Sequence, residues 1–401
     1  MLFLLAFTST YARSNHSECN DINDCRRLFD IVWGCLVTIF LCIWVSVHPN
    51  IPPPCPEPPD GTGLRFLKWW LVDGNRPFLQ RLKLMTVALI APEFILGFAA
   101  RQLQMARFLS QAQGYGLSLT HGFFIVMGGF VDGDGHPVVT QRQLRRNGVT
   151  EEIRAVHKSD IEDKSKGDLL SKGIALCQGL WFMAQCIARR AQHLPLTELE
   201  VATLAFTTIS AITWILWLQK PLDVRGPLKL LVKTKSRSHH VGNPYPAGLT
   251  RIERFGFLFS NSYNRHEYDP FANTSVPAFW GLAESDFDKL PRWSSFSTIF
   301  AQFACAILIG GIHLTAWGAF FPSIVEMWLW RSSALMLTVL PIVFIVLSIP
   351  GGRWATHLRL VIIGIYSIAR GIVLVLSLAT LRLLPPAAFT DINWSIYVPH
   401  F

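Results

Sequence analysis

Apolar residues along the chain are gathered into long blocks separated by polar stretches. A membrane helix needs about 20 mainly apolar residues to cross the hydrocarbon core. The first block of that kind is "FDIVWGCLVTIFLCIWVSVH" (29–48), preceded by Arg26 and Arg27 and ended by "PNIPPPCPEPP". The second, "LKLMTVALIAPEFILGFAA" (82–100), carries Pro92 and Glu93 near its middle. A third, "IALCQGLWFMAQCIA" (174–188), is less apolar. The fourth, "VATLAFTTISAITWILWL" (201–218), follows Thr197-Glu198-Leu199-Glu200, whose Thr and Glu have the spacing of a capping box. Three more blocks, at 296–317, 332–349 and 360–381, follow a long polar stretch. The pattern predicts an all-α membrane protein of about seven transmembrane helices.

The polar stretches complete the expected organisation. An N-terminal segment (1–28) precedes the first two membrane segments (29–100), and a polar loop (101–173) leads to two membrane helices (174–218). A polar, basic loop (219–295) then leads to three membrane helices (296–381) and a C-terminal tail (382–401). In the first loop, "GFFIVMGGFVDGDGHPVVT" (122–140) sets apolar runs around "DGDG" and predicts a short β-hairpin, with an amphipathic helix over 142–168. The second loop mixes basic, aromatic and turn-forming residues, and is long enough to fold as a cap. No repeat of fixed period supports an inverted-repeat transporter. "MLFLLAFTSTYA" at the start is a candidate signal peptide without the usual basic flank. Its cleavage would put the sequon Asn15-His16-Ser17 in the lumen and make Asn15 a glycosylation candidate.

Composition agrees with the blocks. Of 401 residues, 51% are hydrophobic and 16% charged, below the roughly one quarter charged of a soluble chain. An integral, multi-pass membrane location is expected, with endoplasmic reticulum and plasma membrane both open. The net charge of +9 comes largely from Lys and Arg in the loops 101–173 and 219–295. That is the distribution of a cytoplasmic face rather than of a nucleic-acid module, so membrane lipids are the expected partner and nucleic acid is not. Lys229, Lys233, Lys235 and Arg237 read as a run facing anionic headgroups. Simple alternation puts the N-terminus on the same side as those loops, against a cleaved signal. A re-entrant second segment, broken at Pro92, reconciles the two. Cys19, Cys25 and Cys55 lie outside the apolar blocks and could form a disulfide on an oxidising side.

Motif-borne chemistry is sparse. The chain has no HExxH, GxSxG or P-loop and no zinc spacing of cysteines. The acidic stretch "DIEDKSKGD" (160–168) is the nearest approach to a site. Asp160 and Asp163, one helical turn apart, could hold Mg²⁺ with Asp168 close by, while Lys164 and Lys166 meet a diphosphate. The same spacings also suit local pairs, Asp160 with Lys164 and Glu162 with Lys166, with Asp168 capping the next helix. Inside the apolar blocks, Glu93 and Arg370 are expected to pair with each other or to line a polar cavity with Gln178, Gln185 and Gln302.

Several stretches resemble a family of multi-pass membrane proteins of filamentous fungi and mushrooms: "IVWGCLVTIFLCIWVSVHPNIP", "KLMTVALIAPEFILGFAARQ", "SLTHGFFIVMGGFV", "DIEDKSKGD" and "TELEVATLAF". The resemblance covers roughly residues 29–225 and implies an enzyme or accessory protein of fungal lipid, terpenoid or secondary metabolism. The polar intramembrane residues point instead to a channel or transporter. Polyprenyl transferases are the mechanistic analogy for the first reading, but they carry two Asp-rich motifs where this chain has one acidic cluster.

Overall fold

The computed structural model describes residues 25–59, 63–111, 115–165, 169–233, 268–281, 293–347 and 353–394. Asn15, Lys166, Asp168, Lys235 and Arg237 lie outside them. The described chain is mainly helical: α1 (Leu28–Ser46), α2 (Leu64–Lys68), α3 (Arg76–Ile90), α4 (Pro92–Gln111), α5 (Leu119–Val126), α6 (Gln141–Leu144), α7 (Val149–Ala155) and α8 (Lys158–Asp163) come first. They are followed by α9 (Leu169–Ala191), α10 (Glu198–Leu216), α11 (Trp293–Leu314), α12 (Ile324–Leu347) and α13 (Arg353–Ala379). Strands β1 (Phe130–Val131) and β2 (Leu228–Lys229) pair in parallel.

The expected count of seven spans is too high. Among the described residues, four stretches, Leu28–Ser46, Glu198–Leu216, Ile324–Leu347 and His357–Arg382, are long and apolar enough to cross a membrane, and a bent pair raises the count to five. That pair is α3 and α4, which meet at a bend of 118°. Pro92 supplies no N–H and disfavours a helical residue before it, and Ala91 accordingly leaves the helical region (φ −143°, ψ 73°). The block at 296–317 yields a shorter apolar helical stretch, Phe300–Leu314. The block at 174–188 is a long helix, α9, whose glutamines and terminal arginines dilute its apolar character.

The expected hairpin is also revised. Ser118 accepts a hydrogen bond from the His121 amide and starts a helix, so "FFIV" is helical rather than extended. The "DGDG" turn does reverse the chain, leaving one antiparallel bridge between Val131 and Pro137. The regular partner of β1 is the distant β2. The expected amphipathic helix over 142–168 becomes three short ones, α6 to α8, interrupted at Gly148 with φ 85°.

The chain divides into two compact units. Unit 1 takes residues 1–44, 173–211 and 303–401, and so holds most of α1, α9, α10 and the last three helices. α9 lies antiparallel to α1: Gln178 donates to the Thr38 hydroxyl (3.0 Å), and Cys35 packs with Phe182 and Cys186. One face of unit 1 collects charged helix ends. Arg26 donates to both oxygens of Glu200 (2.5 and 3.2 Å), and Glu200 also accepts from Thr197 N (2.8 Å), closing the expected capping box. Arg189 donates to the carbonyls of Thr390 and Pro195, and Arg382 pairs with Glu326 (2.8 Å). Away from this face, the outer surfaces of α12 and α13 expose Val339, Ile342 and Val346, and Val361, Ile368 and Val375.

Unit 2 takes residues 45–172 and 212–302. Its apolar core includes Ile51, Met105, Phe124, Phe130, Val139, Ile153, Val224 and Trp280. α4 and α5 touch backbone to side: a Cβ on Gly122 would lie 2.5 Å from the Ala106 carbonyl oxygen. Arg81 of α3 pairs with Asp223 (2.5 Å), which ties the bent pair to the segment after α10.

Candidate functional site

The acidic stretch serves its own helix at the positions described. Asp160 is the third residue of α8, and its carboxylate accepts the His157 amide in a capping box (3.3 Å). Lys158 and Glu162 form an i,i+4 ion pair (3.2 Å), and Asp163 is exposed at the end of α8. Among the described residues no three His, Cys, Asp or Glu side chains converge as metal ligands.

The five polar residues expected inside the apolar blocks divide between the units. Glu93 is buried in the first turn of α4, and Gln302 packs so closely on Gly97, one turn along, that a Cβ there would lie 2.4 Å from its Oε1. Both belong to unit 2. Gln178 holds Thr38, and Gln185 is half-buried on α9, both in unit 1 with Arg370.

Arg370 is buried, and its Nε, Nη1 and Nη2 have no hydrogen-bond acceptor among the described residues. It sits near the midpoint of the apolar stretch His357–Arg382 and is 2% exposed. The guanidinium lies over the Phe206 ring of α10 at 4.9 Å. An ionised side chain at that depth costs at least about 2.5–3.5 kcal/mol, while one desolvated cation–π contact returns about 2 kcal/mol. The ring alone leaves the charge under-compensated. His313, near the end of α11, is fully buried and senses the Arg370 charge, which disfavours a second proton on its ring. Its Nδ1 faces the Ile309 carbonyl at 2.7 Å, and its Nε2 has no partner among the described residues. A carbonyl only accepts, so Nδ1 carries the proton and Nε2 presents a lone pair. Trp330 of α12 packs at a tilt against this imidazole (centroids 5.6 Å apart) and donates to the His313 carbonyl. Four helices of unit 1 thus enclose a small polar site in an apolar, aromatic wall.

Unit 2 holds another buried cation, Lys220, just past α10. Its amine donates to the carbonyl of His48 (2.5 Å) and to Gln102 Oε1 (2.8 Å), with Asn50 Oδ1 at 3.5 Å. It also faces the rings of Trp217 (4.6 Å) and Phe98 (5.4 Å). Gln102 and Asn50 are held in turn: Trp217 donates to Gln102 (3.0 Å), Gln102 to Asn50 (2.8 Å), and Asn50 to the Trp280 carbonyl (3.1 Å). Burial pushes the Lys220 amine well below the ordinary lysine pKa. Three oxygens and two ring faces, the environment of an ammonium, act against that shift. The amine gathers the segments around 48–50, α4 and α10 at one point.

Sequence reasoning singled out Arg370 but missed His313 and Lys220. His313 closes an apolar run as a single polar residue, and Lys220 follows one, so neither has a motif. The one available signal was a charged residue two positions after "WILWL".

No curated protein and no solved structure matches the chain. Residues 1–237, which carry the Asp160 and Lys220 segments but end before His313 and Arg370, match the model of a family of unknown function (DUF8562), and the chain belongs to that family.

Proposed function

We propose that the protein is a multi-pass integral membrane protein that works as a channel or transporter for a small charged solute, through the interior of unit 1. The observation that supports this reading is Arg370, a fixed cation in mid-span whose nitrogens have no acceptor among the described residues. Ionisable residues at such depth normally mark a ligand or ion path.

Orientation follows from the charged face of unit 1. Cys25, at that face, is disulfide-bonded, which suits an oxidising compartment. If α1 crosses the bilayer from that side, the chain after Ser46 emerges in the cytoplasm, where loops rich in Lys and Arg are favoured. The bend between α3 and α4 supports a re-entrant pair that returns to its own side, which removes the conflict between loop charge and simple alternation.

The other reading, an enzyme or accessory protein of lipid, terpenoid or secondary metabolism, relies on Asp160, Asp163 and Asp168. It has less support, because Asp160 is engaged in capping its own helix. Liposomes containing the purified protein, challenged with labelled small anions and cations, should show flux above protein-free liposomes, and Arg370→Gln should remove it at equal insertion. No flux of any solute, together with a missing lipid or terpenoid product on gene deletion, would overturn transport in favour of metabolism.

A further inference from the structure

We infer that Arg370 anchors a binding site for a small monocarboxylate with an apolar tail. The inference deepens the transport reading and rests on it for its setting. All three guanidinium nitrogens lack an acceptor among the described residues, in a side chain that is 2% exposed. A planar fork of donors is matched by two oxygens in parallel, which a carboxylate offers and a spherical halide does not.

Charge sets the valence. His313 keeps its proton on Nδ1, toward the Ile309 carbonyl, and so brings no second positive charge. The site therefore neutralises one negative charge, and a phosphate or dicarboxylate would bring charge that nothing offsets. The wall sets the tail. Phe206 lies under the guanidinium, Trp330 packs at a tilt on His313, and Ala369 and Val373 flank Arg370 in the apolar cluster that includes Trp330.

The test uses the full chain in detergent, with thermal unfolding followed by tryptophan fluorescence during titration with propionate or butyrate. Chloride and phosphate at equal ionic strength are the controls. The carboxylates should raise Tm saturably and the controls should not. Arg370→Gln should weaken binding about 30-fold or more, and Arg370→Lys, which keeps the charge and loses the fork, should recover little of it. A wild-type protein that answers equally to chloride, or to no carboxylate at all, overturns the site whether or not the variants fold. Carboxylate binding without flux in liposomes upholds the site and removes the transport reading. Flux without carboxylate binding upholds transport and removes the site.

Discussion

Lys220→Met is the most informative single change in unit 2, because its contact losses and its charge effect respond differently to pH. The substitution leaves the His48 carbonyl without the amine (2.5 Å). Gln102 Oε1 keeps the Trp217 indole and Asn50 Oδ1 keeps Gln102 Nε2, so neither of those is stranded. Loss of the amine's hydrogen bonds costs about 1–3 kcal/mol, and, while the amine is charged, loss of its ring contacts with Trp217 and Phe98 about 1–2 kcal/mol. The hydrogen-bond loss persists at any pH, whereas the ring contacts belong to the charged ammonium. Burying or discharging the amine opposes them, and that contribution depends on pH. An unfolded lysine titrates near 10.4, while burial holds Lys220 well below the ordinary value. Between the folded and unfolded pKa values the unfolded chain holds a proton that the folded chain does not. Wild-type stability therefore rises with pH through that window, by up to about 1.4 kcal/mol per pH unit, and is fully regained only above the unfolded value. Denaturant unfolding in detergent, read by tryptophan fluorescence at several pH values, should show the wild-type advantage over Lys220→Met growing toward pH 10. Parallel profiles would refute the shift. They would mean that the three oxygens and two rings keep the ammonium charged in the fold.

Gly122→Ala should destabilise unit 2 by about 1–3 kcal/mol, the usual cost of overpacking, since its Cβ would meet backbone atoms of Ala106; an unchanged midpoint would show that α4 and α5 can separate. Asp160→Ala should cost under about 2 kcal/mol, as for loss of a helix cap, and should leave thermal stability insensitive to added Mg²⁺, as in wild type. A Mg²⁺-dependent Tm in wild type that the substitution removes would restore the metal reading. Cys55, an exposed free thiol in the segment that follows α1, should resist a membrane-impermeant maleimide in intact cells and react after permeabilisation. Labelling of intact cells would reverse the proposed orientation.

Local features of the sequence were legible where one residue type dictates one backbone outcome. Pro92 broke the second apolar block, because its ring and missing N–H act on the residues beside it. Thr197 and Glu200 formed their capping box, because both partners lie within one helical turn. The apolar blocks became helices, but their number as spans was overestimated, since a bend or a few polar side chains can remove a block from the count without altering its helical pattern. The segment 122–126 was misread because Ser118, four residues earlier, caps a helix that the apolar run alone does not distinguish from a strand.

The sequence by itself determined a helical chain with apolar stretches suited to a bilayer, the break at Pro92 and the capped start of α10. These depend on neighbours within a turn or two, where spacing fixes geometry. The tertiary structure decided what each polar group meets: Asp160 its own helix, Lys220 the carbonyls and rings of distant segments, and Arg370 the Phe206 ring with His313 nearby. Such encounters join residues far apart in the chain, and the energy of a buried charge depends on the oxygens and rings that surround it.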